Sequence, residues 1–171
     1  MSSALIWLPT ALVVAAFMDG WAAFLHGFVW HRVLWPIHRS HHKPRRGRFE
    51  ANDALSVLHA PIAIALILYG CQADPGLTRE LCFGAGIGMT LFGVSYFVVH
   101  DGLVHGRLPV GFLLRVAPLR RVVEAHRRHH DGARGRPPYG LFFGPLELAL
   151  AERRRLRAEV TPAPRVRSRR A

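Results

Sequence analysis

The chain has 171 residues, enough for one domain, and half of them are hydrophobic although 23 are Lys or Arg and the formal net charge is +12. Mean hydropathy is positive at +0.15, which argues against an ordinary soluble domain. The charge suggests nucleic acid, but the basic residues flank apolar segments and no recognition motif accompanies them, so nucleic-acid binding is excluded.

Three apolar runs, about 4–24, 54–70 and 81–99, contain 21, 17 and 19 residues. At about 1.5 Å rise per residue each is about 25–32 Å long, close to the roughly 30 Å hydrocarbon core of a bilayer. The first has no basic residue ahead of it and continues through Asp19 into histidines, so it reads as a retained span and not a cleaved signal. Of the 23 basic residues, 22 fall in 32–48 and 107–170, leaving Arg79 in the short 71–80 connection. The positive-inside rule then places the loop after the first span and the C-terminal region in the cytoplasm, against anionic lipid. The third span carries Gly84 and Gly88 in G-x-x-x-G spacing, which suits close helix packing, with a dimer contact as the alternative. Stretches 108–119 and 139–151 are too short to cross and contain proline, so they read as interfacial or re-entrant segments that could roof a site. Residues 1–151 form the membrane domain, and 152–171, with eight arginines and two prolines, read as a disordered, lipid-associated tail. Cys71 and Cys82 show no metal spacing, and two unpaired membrane cysteines are the plain reading.

Ten of the eleven histidines form two matching sets: His26 and His31, then His38, His41 and His42; later His100 and His105, then His126, His129 and His130. The order is H-x4-H, H-x2-HH, repeated. Random placement would give about 0.04 H-x2-HH patterns per chain, and there are two. Imidazole is the commonest neutral metal ligand, and ten exceed what one ion binds, so the pattern points to two metals. Two crossings separate the second and third clusters, which puts all four on one side of the membrane. On an α-helix, positions i, i+3 and i+4 span about 100°, so each H-x2-HH can serve a metal from one turn. An H-x4-H pair differs, since five residues leave the rings about 140° apart. It serves two metals, sits on a π-bulge, or has one member beyond the helix end. Asp101, Asn52, Asp53 and Glu124 are candidate partners for the outer ring nitrogens, with Asp101 the best placed. His59 stands alone and reads as an interfacial residue. No E-x-x-H occurs, which argues against the carboxylate-bridged type of di-iron bundle.

The stretches H-R-S-H-H-K-P-R-R-G-R-F-E-A-N-D-A-L (38–55), H-D-G-L-V-H (100–105) and A-H-R-R-H-H (125–130), with a later Y-G-L-F-F-G-P, resemble the bacterial β-carotene hydroxylases of the membrane fatty acid hydroxylase superfamily. The resemblance runs from about residue 12 to 145. It implies an all-α integral membrane bundle with a cytoplasm-facing di-metal site in which the ten clustered histidines hold two non-haem irons. It further implies O2-dependent 3-hydroxylation of β-ionone rings, taking β-carotene through β-cryptoxanthin to zeaxanthin with electrons from reduced ferredoxin. Arg45, Arg46 and Arg48 are candidates for docking that donor, with lipid-facing arginines as the plain alternative. Members of the family are drawn with four spans, against three evident here. Competing readings are a carotene ketolase, a sterol oxidase or a fatty acid desaturase or hydroxylase on the same metal site, and, from another class, a membrane metal transporter or a haem protein.

Overall fold

A computed structural model describes residues 3–44, 47, 49–131 and 136–160. These residues contain helices and no strand. Helix α1 (Ala4–Phe24) runs directly into a π-helical segment, Leu25–Val33, and a short α2 (Trp35–His38) follows. After α3 (Asp53–Ser56), helix α4 (Ala60–Gln72) leads to α5 (Leu77–Tyr96), which continues as a second π-helical segment, Phe97–Val104. A 3-10 turn (Gly111–Arg115), α6 (Ala117–Asp131) and α7 (Gly144–Val160) complete the order.

Three helical stretches, Ala4–Val33, Asp53–Gln72 (α3 and α4 with the turn between them) and Leu77–Val104, are long and apolar enough to cross a membrane. They contain the three expected spans and extend beyond them, because α1 and α5 run on into the histidine segments. Large side chains such as Leu12, Val13, Phe17, Ile64, Leu68 and Leu91 are exposed on them. In water that surface would be a liability; in lipid it is the ordinary outer face of a bundle.

Helix α5 packs between α1 and α4, and glycine makes this possible. A Cβ on Gly84 would lie 2.5 Å from the Trp7 carbonyl oxygen, and one on Gly88 would collide with the Ala11 carbonyl. The G-x-x-x-G face is therefore filled by α1 of the same chain, which is the bundling role expected of it. Without hydrophobic drive inside lipid, such close backbone approach supplies the association energy through dispersion.

The 108–119 stretch becomes the 3-10 turn and the start of α6, while 139–151 is an extended segment followed by the first turns of α7. The boundary placed at 151/152 falls inside α7, and residues 152–160 continue that helix where a disordered tail was expected. The physical reason is local: arginine, alanine, leucine and glutamate are strong helix formers, and Arg155 and Glu159 pair at i, i+4 at 3.0 Å. Residues 161–171 lie outside the described residues, as do Arg45, Arg46 and Arg48. Cys71 and Cys82 are both free thiols.

Candidate metal centre

His26 and His31 lie within the first π-helical segment; His100 lies within the second and His105 caps its C-terminal end. Their backbone bonds span five residues: Leu34 N–H donates to the Val29 carbonyl at 2.8 Å and His105 N–H to the His100 carbonyl at 3.1 Å. Widening the turn brings i and i+5 onto one face. His26 and His31 then stand with Nε2 atoms 3.2 Å apart, and the His100 and His105 rings are 4.7 Å apart between centroids. Of the three geometries open to these pairs, His26 and His31 adopt the π turn, while the second pair combines it with the third option, His105 lying one residue past the π-helix as its C-cap.

The H-x2-HH clusters behave differently from the one-metal-per-turn expectation. One group of ring nitrogens, all within 4.8 Å of one another, comes from His26, His31, His38, His42 and His129; another comes from His41, His105, His126 and His130. His100 joins the second group, with its Nε2 3.0 Å from that of His41 and its ring 4.7 Å from that of His126. The i and i+4 rings of each box thus stay together, while the i+3 ring, His41 or His129, crosses to the other group. The groups adjoin through His42 and His130, whose rings stack at 4.4 Å.

What the outer nitrogens do fixes the tautomers. His26 Nδ1 donates to the Tyr139 carbonyl at 2.8 Å, His38 Nδ1 to Asn52 Oδ1 at 2.7 Å, His129 Nδ1 to the Arg136 carbonyl at 2.9 Å and His100 Nδ1 to Asp101 at 3.1 Å. With the proton on Nδ1, each of these neutral rings turns an Nε2 lone pair inward. Inward nitrogens lie close: His26 to His38 at 3.1 Å, His31 to His129 at 3.1 Å and His126 to His130 at 3.1 Å. Two lone pairs facing each other at that range, as in His26 and His38, cannot hydrogen-bond. A cation between them resolves the repulsion. His105 Nε2 is likewise buried with no hydrogen-bond partner among the described residues.

The donor sets therefore fit metal ions, and their number and spacing narrow the kind. At a metal–imidazole distance of about 2.1 Å, donors at right angles are about 3.0 Å apart and tetrahedral donors about 3.4 Å. The shortest separations, 3.0–3.2 Å, lie nearer the right-angle than the tetrahedral value, and the five rings of the first group exceed the four of a tetrahedral site, as do the four of the second once His100 joins them. Burial, reinforced by neighbouring rings, keeps these imidazoles neutral and able to ligate: it pushes His38 down to about 4, His42 and His105 to about 3 and His130 to about 2.

Of the expected orienting residues, Asn52 and Asp101 touch a histidine. Asp53 does not; it accepts from Arg107 at 2.8 Å and from the Glu50 N–H at 2.9 Å. Glu124 pairs with Arg128 on the exposed face of α6. Sequence reasoning missed Arg107, which bridges Glu50 at 3.1 Å, Asp53 at 2.8 Å and Asp101 at 2.8 Å. It also missed Glu50, 3.5 Å from His41 Nδ1. Their separation in sequence left no local signal.

An apolar cavity of about 380 Å³ lies between α1, α4 and α5, lined by residues such as Met18, Leu25, Ala63, Met89 and Phe92, and reaches Asp101 beside His100. Trp21 Nε1 donates to His59 Nε2 at 3.0 Å on its wall, so the lone histidine is a satisfied membrane residue. A polar opening lined by residues including His41, His42, Lys43, His105, Arg127 and His130 leads to the second histidine group and to His42.

A family model for fatty acid hydroxylases matches residues 11–149, covering all ten clustered histidines. The chain belongs to the fatty acid hydroxylase family. Among similar members, a β-carotene 3-hydroxylase 1 of Arabidopsis thaliana is 51% identical over 131 residues, 77% of this chain and 42% of that protein. A β-carotene hydroxylase 2 of Capsicum annuum is 52% identical over the same span. The chain thus covers about two fifths of these chloroplastic hydroxylases. A β-carotene hydroxylase of Pantoea ananas is 39% identical over 163 residues, 90% of each chain. No solved structure matches this fatty acid hydroxylase family member.

Proposed function

We propose that this chain is a membrane-embedded, non-haem di-iron oxygenase that 3-hydroxylates the β-ionone rings of β-carotene, giving β-cryptoxanthin and then zeaxanthin. The observation that carries the reading is the convergence of ten imidazoles into two adjoining nitrogen sets, next to an apolar cavity that reaches Asp101, the partner of His100. The names of the relatives, shared by plant and bacterial proteins, support the substrate.

His26, His31, His38, His42 and His129 would hold one iron, and His41, His100, His105, His126 and His130 the other. The bound irons supply reductive activation of O2: RH + O2 + 2 electrons + 2 protons gives ROH + H2O, with the electrons from a ferredoxin-type donor. The chain's own share is positional. Hydrogen bonds at Nδ1 hold the rings in place, and the cavity wall of α1, α4 and α5 excludes water while it aligns one ring methylene. A C40 hydrocarbon is confined to the bilayer, so a cavity among the spans meets it there. The polar opening at Lys43 and Arg127 lies on the aqueous side, where a soluble donor arrives. The basic distribution supports a cytoplasmic orientation for that side, in a bacterial membrane, by the positive-inside rule.

Donor sets of more than four imidazoles, five in the first group and four joined by His100 in the second, favour iron over four-coordinate zinc. Expression in cells that accumulate β-carotene tests the reading. Zeaxanthin is expected; canthaxanthin would assign a ketolase and unchanged β-carotene would refute the proposal. Gly93 lines the cavity, and a Cβ there meets nothing within 4 Å. Gly93→Leu should therefore lower hydroxylation with metal content unchanged.

A further inference from the structure

Five consecutive backbone amides, Tyr139 to Phe143, end on two carboxylates. Tyr139 and Gly140 N–H donate to Glu147 Oε2 and Oε1, both at 2.8 Å. Leu141 and Phe142 N–H donate to Asp19 Oδ1 at 3.2 and 3.1 Å, and Phe143 N–H to Asp19 Oδ2 at 2.8 Å. Asp19 is 2% exposed within the first membrane-spanning helix, where an ionisable residue is costly unless it has a specific task. The two carboxylates meet at Gly140: a Cβ there would lie 2.6 Å from Glu147 Oε1 and 3.4 Å from Asp19 Oδ2. The segment has no regular secondary structure, so these bonds stand in for the helix or sheet partners that its amides lack.

What the segment then holds is specific. Its Tyr139 carbonyl receives His26 Nδ1, and the Arg136 carbonyl just before it receives His129 Nδ1. The Tyr139 ring packs against His26, His31 and His129 with centroids 5.9, 5.7 and 5.8 Å away. All of these rings belong to the first group. The second group is oriented from elsewhere, by Asp101 on His100 and by Glu50 near His41 under Arg107.

We infer that Asp19 and Glu147 form a carboxylate clamp on the 139–143 backbone that positions the ligands of the first histidine group and leaves the second untouched. The inference rests on the two-metal reading above. It makes Asp19 a positioning residue, acting on the metal through Tyr139 without touching it. Asp19→Asn keeps the size and one acceptor oxygen, but sets an NH2 group against one of the three amide donors. Loss of an outer partner of this kind lowers metal affinity by roughly 10- to 100-fold.

The test uses full-length protein in detergent, titrated with ferrous iron enriched for Mössbauer spectroscopy. His31→Ala identifies the signal of the first group and His105→Ala that of the second. Asp19→Asn should weaken binding roughly 10- to 100-fold, with loss or change confined to the signal that His31→Ala removes; Glu147→Gln, altered at the outer end of the clamp, should move the same signal. Wild-type spectra in both variants, or equal changes in both signals, overturn the clamp. So does failure of both variants to yield monodisperse protein, which would make the carboxylates structural. A wild-type protein that binds fewer than two irons instead sinks the two-metal reading, an outcome visible before any variant is compared.

Discussion

The π turn under His26 and His31 can be tested by moving one ring one position. In an α-helix, five residues place two rings about 140° apart, which on a cylinder of about 5–6 Å radius with about 7.5 Å of rise separates them by about 13 Å. The rings are in fact 4.9 Å apart between centroids. Exchanging Trp30 and His31 preserves composition and turns H-x4-H into H-x3-H, the spacing that suits an ordinary α turn. If the segment keeps its π winding, at about 4.4 residues per turn, the displaced imidazole swings by about 80°, or about 7 Å. Metal–ligand distances tolerate about 0.2 Å, so the first group loses a donor outright. Iron titration of the W30H/H31W protein should show one tight site where the wild type has two, with the site of the first group weakened by more than the roughly 10- to 100-fold that loss of an outer partner costs. Size exclusion and thermal melting report whether the exchanged protein is folded. Two tight irons in that variant would mean that an α turn serves equally well, and the structural reason given for the H-x4-H spacing would be wrong.

Three further outcomes are expected. His38, His42, His105 and His130 sit below the usual histidine value of about 6.5; the unfolded chain therefore binds protons first as pH falls. Metal-free protein should melt at a constant temperature above about pH 7 and at steadily lower temperatures from about pH 6.5 toward 4, and a flat profile would refute the neutral, buried assignment. Arg107→Ala strands Glu50, Asp53 and Asp101, whose oxygens lie 2.8–3.1 Å from the guanidinium. It should lose about 3–5 kcal/mol, measured by thermal melting of metal-free protein, with Arg107→Lys recovering part because an ammonium cannot fork between carboxylates. His129→Ala should remove the same Mössbauer signal as His31→Ala, and His41→Ala the same as His105→Ala; assignment of His129 with its neighbours His126 and His130 would refute the crossed arrangement.

The membrane spans and the ten-histidine set were legible because both are periodic: hydropathy over about 20 residues and spacing within one or two turns. The π turns were legible as one of three options, since 140° is a conflict that a ligand pair must resolve somehow. The crossing of His41 and His129 was not, because it depends on where the facing helix stands. Nor was the clamp: Asp19 and Leu141 are 122 positions apart, and its other half is backbone N–H, which every residue but proline carries. The second half of helix α7, from residue 152, was read as a tail because arginine density resembles a disordered segment, yet arginine with alanine, leucine and glutamate also satisfies helix propensity. Composition alone does not separate the two.

The crossing explains why the sequence pattern occurs twice. In an α-helical box the i and i+4 rings point within about 40° of one another, whereas i+3 diverges from i+4 by about 100°. That arc would focus three rings on one ion only at the expense of geometry. With a second ion nearby, it sends the i+3 ring there instead. His126 and His130, on α6, then share one group while His129 joins the other; His38, His42 and His41 divide the same way, although there only His38 lies in α2 and residues 39–42 are turns bonded i to i+3. Each group consequently needs both halves of the chain: one π pair, one i, i+4 pair, and one ring from the opposite box. The spacing between halves is set in the membrane, where Gly84 and Gly88 let α5 approach α1 closely enough for the two π segments that continue these helices to face each other. The G-x-x-x-G contact thus bears on both histidine groups through the helices that lead into them.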